Sequence, residues 1–259
     1  MLVFCAFTSH SPLSVSQIGQ AAEKAKLAHT LASFGELSQA LSRMRPDTII
    51  IISPHAPLDP YSFVINSAAT LKGSFKEFGL DETLEFSNDT ELAEKISYAA
   101  YVNDIKNVLH PHFLDHGALV PLWHLVKDFS PRVVHLSFSF LDLPKHYEYG
   151  EVIARVVGES GKRVAIIASG DLSHRLSPSA PAGFSPQAHV FDQRILGALA
   201  AKDMAQIEAL HRAYINVAAE CGLRSFVMAM GMLHGKRYDF KLLSYEAPFG
   251  VGYLMARLF

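Results

Sequence analysis

The feature that most constrains the fold is the stretch DTIIIIS at residues 47–53, which holds four consecutive isoleucines. A run of this kind is typical of a strand buried on both faces, as in a parallel sheet covered by helices. Apolar runs at 2–8 (LVFCAFT), 132–138 (RVVHLSF) and 163–169 (RVAIIAS) predict further strands. Because longer segments with helical spacing separate them, the sequence predicts a single α/β domain over residues 1–259, with a central mixed β-sheet flanked by helices.

The helices are predicted where apolar residues recur every three or four positions between charged ones, at 20–44, 88–101, 117–129, 144–160, 186–201, 203–212 and 214–234. The segment YSFVINSA (61–68) suits an edge strand or an extension. At 238–259, two strand-like runs joined by a Pro-Gly turn predict an antiparallel hairpin.

Composition excludes several classes of partner. The net charge of −2 gives no indication of a nucleic acid or an anionic membrane as partner. No apolar run approaches the ~20 residues that a membrane span needs, and the opening MLVFCAFTSHSPL resembles a strand more than a signal peptide. Two cysteines cannot form a disulfide framework, so a reducing cytoplasm is the expected location.

Three predicted strands end in a polar loop that carries a histidine. LVFCAFT leads into SHSP with His10, TIIIIS into PHAP with His55, and VAIIAS into GDLSH with His174. Sites in open α/β sheets form beyond the carboxyl ends of the strands, so parallel neighbours would bring the three imidazoles to one rim. Prolines stiffen two of these loops, and a rigid carrier suits a metal ligand or a proton donor.

Histidine is the commonest metal ligand, and two histidines with one carboxylate form the facial triad of non-haem Fe(II) oxygenases. The candidate carboxylates are Asp171, Glu220 and Glu246. Glu220 stands beside Cys221 before a strongly apolar helical segment, where either the helix N-terminus or a ligand can satisfy its charge. His116 follows Asp115 where a predicted helix begins, and can face the same rim.

Five motifs occur together in a familiar order: SHSPL, ISPHAP, LDHGALVPL, SGDLSHR and SYEAPFGVGYL. In this order they resemble the class III extradiol ring-cleavage dioxygenase superfamily, catalytic B-subunit type. Within it, the chain is most similar to the Memo-like, AMMECR1-associated branch. The likeness runs over nearly the whole chain, and it is more specific for the superfamily than for the reaction.

The resemblance implies an α/β fold with one mononuclear metal site. It implies His10, His55 and Glu220 as ligands of Fe(II), with Cys221 and Glu246 as rival ligands and Zn or Cu as other metals. His174 falls on the acid–base histidine of the family, and His116 falls on a histidine that lines the substrate pocket. For Asp171 we expect a supporting role, orienting His174 or a nearby loop amide.

Three functions are compatible with these residues. The first is extradiol cleavage of a catechol-type ring, with a small aromatic diol and O2 as substrates. The second is a Memo-like metal-binding protein with a redox, sensing or assembly role and no ring cleavage, which Cys221 as ligand would favour. The third is a Zn-dependent hydrolase, because Zn also uses two histidines and a glutamate. The resemblance further implies a homodimer or an AMMECR1-domain partner.

Overall fold

The computed structural model describes residues 1–259, apart from the side chain of Ile215. Ten strands form within the described residues: β1 Leu2–Thr8, β2 Thr48–Ser53, β3 Phe63–Asn66, β4 Thr70–Ser74, β5 Thr83–Ser87, β6 Asn107–His110, β7 Arg132–Ser137, β8 Val164–Ser169, β9 Lys241–Glu246 and β10 Tyr253–Arg257. The helices are α1 Ala21–Lys26, α2 Ala28–Met44, α3 Thr90–Val102, α4 His116–Leu125, α5 Leu143–Glu159, α6 Ala188–Ala201, α7 Met204–Ala218 and α8 Leu223–Met232.

Eight of these strands form one mixed sheet in the order β6-β3-β7-β2-β8-β1-β10-β9. The central strands β7, β2, β8 and β1 are mutually parallel. Strand β3 runs antiparallel to β7 and parallel to β6, while β10 runs antiparallel to both β1 and β9. The predicted α/β fold with a mixed sheet is therefore confirmed, and so is the C-terminal antiparallel hairpin.

The isoleucine run in β2 lies at the centre of the molecule and is buried on both faces of the sheet. Ile49 and Ile51 pack into a core with α2 and α4, whereas Ile50 and Ile52 pack into a larger core with α3, α5 and α8. Alternate side chains of a strand point to opposite faces, so one apolar run supplies both layers. Within the described residues, none of the helices combines the length and apolar character that crossing a bilayer requires.

Several element boundaries differ from those that the sequence predicts. The helix expected over 20–44 is two helices that meet at Leu27. The helices expected at 203–212 and 214–234 divide elsewhere, because α7 continues to Ala218 and Ala219 then adopts a left-handed conformation that ends it. Residues 219–222 thus form a loop before α8, and this loop carries Glu220 and Cys221.

The sheet also differs from expectation at one edge. Strand β3, expected as an edge strand or extension, lies one place inside the edge, because the unpredicted strand β6 pairs with it. A second small sheet, the hairpin of β4 and β5, packs its apolar side chains on the α4 side of the main sheet.

Candidate metal centre

Three adjacent parallel strands deliver the candidate ligands to one edge of the sheet. β8 lies between β2 and β1, so the loops that carry His10, His55 and Asp171 emerge side by side. The loop before α8 joins them through a close approach of two glycines, since a Cβ at Gly170 would overlap the Cα of Gly222. Cys221 is therefore held against the loop of Asp171, and its backbone N–H donates to Asp171 O at 3.2 Å.

One group of possible ligand atoms consists of His10, His55 and His116, whose ring nitrogens all lie within 4.8 Å of one another. The Nε2 atoms of His10 and His55 are 3.0 Å apart. The ring of His116 stacks on that of His55, with 4.3 Å between centroids. Ser169 Oγ, at the end of β8, lies 3.1 Å from His10 Nδ1. A hydrogen bond at Nδ1 leaves Nε2 of the same ring free to bind an ion.

A second group shares His10 and adds Asp171 and Cys221, again with ligand atoms within 4.8 Å. His10 Nε2 is 3.5 Å from Asp171 Oδ2 and 3.8 Å from Cys221 Sγ. The backbone N–H of Asp171 donates to Cys221 Sγ at 3.3 Å. His10 Nε2 therefore faces an imidazole, a carboxylate and a thiol at once.

Burial keeps the imidazoles of this centre neutral at physiological pH. His10 is almost fully buried, and burial together with His55 and His116 lowers its pKa well below the usual range. Burial also lowers the pKa of His116 to about 4, with His55 acting in the same direction. Neutral imidazole is the form that binds metal, so these side chains are ready to act as ligands without first losing a proton.

The pKa values of Asp171 and Cys221, the acidic members of the centre, are raised, whereas those of the imidazoles are lowered. Burial raises the pKa of Asp171 to about 8. Burial and the neighbouring Asp171 raise the pKa of the Cys221 thiol well above its usual range. Asp171 Oδ1 is buried and has no hydrogen-bond partner among the described residues. A divalent cation would supply the missing positive charge and favour both anionic forms, so the residues present fit a metal ion.

Asp115 organises the side of the centre that carries His55 and His116. Its Oδ1 accepts hydrogen bonds from Ser53 Oγ at 2.5 Å and from Gly117 N at 2.8 Å, the second of which caps α4. Although burial opposes ionisation, the nearby imidazole of His135 and the hydrogen bond from Ser53 hold the pKa of Asp115 below its usual range. Little in the sequence indicates this role, because an Asp before a helix usually serves as a cap alone.

His174 lies beside the two groups and outside both of them. Its backbone N–H donates to Ala218 O at 2.9 Å, which fixes the loop after β8 on the end of α7. Burial lowers the pKa of His174, and the charge of His55 acts in the same direction. Its Nδ1 is buried and has no hydrogen-bond partner among the described residues. A neutral imidazole near a metal centre is what a proton carrier needs.

The structure does not bring Glu220 or Glu246 into either group. Glu220 Oε2 accepts a hydrogen bond from Leu223 N at 2.7 Å, in the first turn of α8, and Oε1 lies 3.6 Å from His211 Nε2. Glu246 accepts from Thr30 N at 2.8 Å, at the start of α2. The ligand role of Glu220 therefore stays a prediction from resemblance, and the residue next to it, Cys221, occupies the place beside His10.

Comparison with known proteins identifies a family that the chain matches. Residues 4–256 match the family described as the catalytic LigB subunit of aromatic ring-opening dioxygenase. The chain is 26% identical over 226 residues to 3,4-dihydroxyphenylacetate 2,3-dioxygenase from Escherichia coli, covering 81% of this chain and 82% of that enzyme. Its fold is similar to the crystal structure of uncharacterized protein JW3007 from Escherichia coli K12, with a TM-score of 0.72, 17% identity and 99% of both chains covered.

A longer relative is Protein CA_C1420 from Clostridium acetobutylicum, which is 32% identical over 261 residues. That alignment covers 96% of this chain but only 56% of the clostridial protein, so the chain spans little more than half of that relative's length. The family match, in contrast, extends over almost every residue from β1 to β10. The chain therefore belongs to the family of the catalytic LigB subunit of aromatic ring-opening dioxygenase.

Proposed function

We propose that this chain is a metal-dependent extradiol dioxygenase that opens a catechol-type ring with O2. The observation that carries the proposal is the pair of Nε2 atoms of His10 and His55, 3.0 Å apart at the carboxyl edge of the sheet. Family membership and the similarity to a named dioxygenase support the same reaction class. Dihydroxylated aromatic rings are accordingly the substrates that we propose.

His10 and His55 would hold the ion, and the third donor would come from the buried pair of Asp171 and Cys221. Both lie within 4 Å of His10 Nε2, whereas Glu220 accepts a hydrogen bond from Leu223 N, and Asp171 would complete a set of two histidines and one carboxylate. With that set we propose Fe(II) as the metal. When bound, it supplies the Lewis acidity and the redox chemistry that bring a catechol and O2 together.

The proton chemistry falls to His174. We assign to its imidazole the proton that a catechol hydroxyl loses on binding, and later the return of that proton to the product. The lowered pKa of His174 keeps the imidazole in its basic form when the substrate arrives. His116, stacked on His55 and 26% exposed at its side chain, would contact the substrate from the open side of the centre.

A second candidate function rests on one observation, the thiol of Cys221 at 3.8 Å from His10 Nε2. Thiolate favours softer ions such as Cu(I) or Zn over Fe(II). If Cys221 is the third ligand, a Memo-like role in metal binding or redox sensing becomes the better reading. A Zn-bound water with His174 as base would make the same site a hydrolase.

The first experiment is anaerobic reconstitution with Fe(II), followed by oxygen uptake on a panel of catechols that includes 3,4-dihydroxyphenylacetate. We expect uptake matched to the absorbance of a ring-opened product. His174→Ala should keep the metal and lose about 10²–10⁴ in rate, the usual worth of general acid–base catalysis. His10→Ala should lose the metal. His29→Ala, at an exposed position on α2, is the matched control and should change neither.

The third ligand is decided by metal content in three variants. We expect Asp171→Asn or Cys221→Ser to release the ion and Glu220→Gln to retain it, because Glu220 is engaged by Leu223 and His211. Release from Glu220→Gln alone would restore the ligand set implied by the resemblance. Tight binding of metal without oxygen uptake on any catechol would contradict the dioxygenase proposal and favour the second candidate.

For the molecule as a whole we propose a cytoplasmic enzyme. The extra length of the clostridial relative supports the idea that this domain works with a second one, and an AMMECR1-type domain or a second copy of the chain are the partners that the resemblance implies. Size-exclusion chromatography with light scattering on the purified chain distinguishes a monomer from a homodimer.

A further inference from the structure

His135 is a buried polar residue that core packing does not explain. It lies in the middle of β7 between the apolar residues Val134 and Leu136, and it is fully buried. Neither of its ring nitrogens has a hydrogen-bond partner among the described residues. An apolar side chain would fill this volume without leaving two buried nitrogens unsatisfied, so a role beyond packing is indicated.

The nearest charged group to His135 is Asp115. His135 Nε2 lies 3.3 Å from Asp115 Oδ2, and this oxygen is also buried without a hydrogen-bond partner among the described residues. On the other side, the ring centroid of His112 is 5.1 Å from that of His135. His112 Nδ1 is 2.8 Å from His110 O, and a bond there holds its ring in place behind His135. The imidazole of His135 thus lies next to Asp115, and that of His112 lies next to His135.

Asp115 connects this cluster to the metal centre by two routes. Its Oδ1 accepts from Ser53 Oγ, and Ser53 Oγ in turn accepts from the backbone N–H of His55 at 3.3 Å. The same oxygen caps α4, whose first residue is His116. Ser53 and the start of α4 are closely packed, since a Cβ at Gly117 would overlap Ser53 Oγ. A shift of Asp115 would therefore move both His55 and His116.

We propose that His135 is a positioning residue of the metal centre, which holds Asp115 in place and through it sets the positions of His55 and His116. The inference rests on the proposed function only in that it assigns a metal to this centre. Groups that orient the ligands of a metal typically change its affinity about 10- to 100-fold when they are removed.

The test compares His135→Phe and His135→Gln by Co(II) titration, following both the affinity and the visible absorption spectrum. We expect His135→Phe to lower the affinity about 10- to 100-fold and to alter the spectrum. Gln places an amide donor near the position of Nε2, so His135→Gln should recover most of both. His146→Phe is the matched control, because His146 is also fully buried but bonds to Ser139 and Asp142, away from the centre.

A second measurement uses metal-free protein with ¹⁵N-labelled histidine. His135→Phe should shift the ring resonances of His55 and His116, whereas His146→Phe should leave them in place. If both measurements gave the same result for His135→Phe as for the wild type, the inference would be overturned. If the wild type bound no metal, the proposed function would fall, and the resonances of the metal-free protein would still decide the role of His135.

Discussion

At the scale of single residues, burial sets the protonation of most groups around the centre, and Asp192 shows the effect away from the ligands. Asp192 is almost fully buried on α6. Its Oδ1 accepts from Ser173 N at 3.0 Å, and its Oδ2 accepts from Tyr245 OH at 2.6 Å. It therefore supports the loop that carries His174. Burial raises the pKa of Asp192 to about 7, although these two hydrogen bonds act against the rise.

This pKa predicts a loss of stability as the pH rises. The folded state keeps the Asp192 proton up to about pH 7, whereas the unfolded chain releases it near its ordinary value of 3.8. Between these values the folded state binds more protons, so the free energy of unfolding falls by about 1.4 kcal/mol per pH unit from this group alone. Above about pH 7 the folded state has also lost this proton, and the stability that the proton contributed at low pH is gone.

Asp192→Asn tests this linkage, because the amide oxygen still accepts hydrogen bonds but does not titrate. From pH 5 to pH 8 we expect the unfolding free energy of the wild type to fall relative to that of the variant. Urea unfolding followed by circular dichroism measures it. A difference that stayed constant across this range would show that Asp192 titrates at its ordinary value.

At the scale of elements, one carboxylate joins a helix to the sheet. Asp89 caps α3 by accepting from Leu92 N at 3.2 Å, and it also accepts from Thr48 Oγ1 in β2 and from Lys162 Nζ just before β8. We expect Asp89→Ala to cost about 2–4 kcal/mol, since it removes a cap and leaves buried partners unpaired. Asp89→Asn keeps an acceptor for the cap and should cost less. Chemical denaturation of both variants checks the order.

The glycine contact between two loops gives a second prediction for elements. Gly170→Ala places a methyl group against Gly222 and should push the Cys221 loop away from His10, which lowers metal affinity. Gly158→Ala is the matched control, since nothing lies within 4 Å of a Cβ there and the site is an exposed helix position. That control should stabilise the protein by up to about 1 kcal/mol. Equal metal affinity in the two variants would contradict the role of the contact.

Periodicity predicted the elements that build the fold, and it failed where contacts between distant segments decide. The isoleucine run of β2 and the strands on either side of it were evident, because a strand buried on both faces has an unmistakable composition. Strand β6 was missed because Val108 and Leu109 are exposed at the edge, where packing imposes no pattern. α7 ends because Ala219 adopts a left-handed backbone conformation, which cannot be predicted from the sequence when the residue is not a glycine.

The roles of the residues at the centre stay predictions, but part of their arrangement could be expected from the sequence. Strand order brings His10, His55 and Asp171 together, and their place after apolar runs signalled it. Glu220 and Cys221 are neighbours in the loop before α8, and the sequence does not reveal that Glu220 accepts from Leu223 N while Cys221 Sγ lies near His10. Asp115 and His135 are 20 positions apart, and no spacing rule links a loop residue to the middle of a strand.

At the scale of the whole molecule, a bound metal should couple the centre to global stability. The proposed ligands come from the loops after β1 and β2 and, for the third donor, from the loop after β8 or the loop before α8, so an ion at this site would bind the folded chain and not the unfolded one. At 100 times its Kd, such an ion adds about 2.7 kcal/mol to the free energy of unfolding. We expect Co(II) or Fe(II) to raise Tm, and a chelator to reverse the rise. His10→Ala should show neither change.

The position of β1 has a consequence for how the protein is made. β1 lies between β8 and β10, although most of the chain separates it from both. On a ribosome adding about 5–20 residues per second, roughly 10–50 s pass between the appearance of His10 and that of its last neighbouring strand. Throughout that time His10 follows a strand that lacks one of its two neighbours in the sheet. We therefore expect the proposed centre to form only after β10 has emerged and the sheet around β1 is complete.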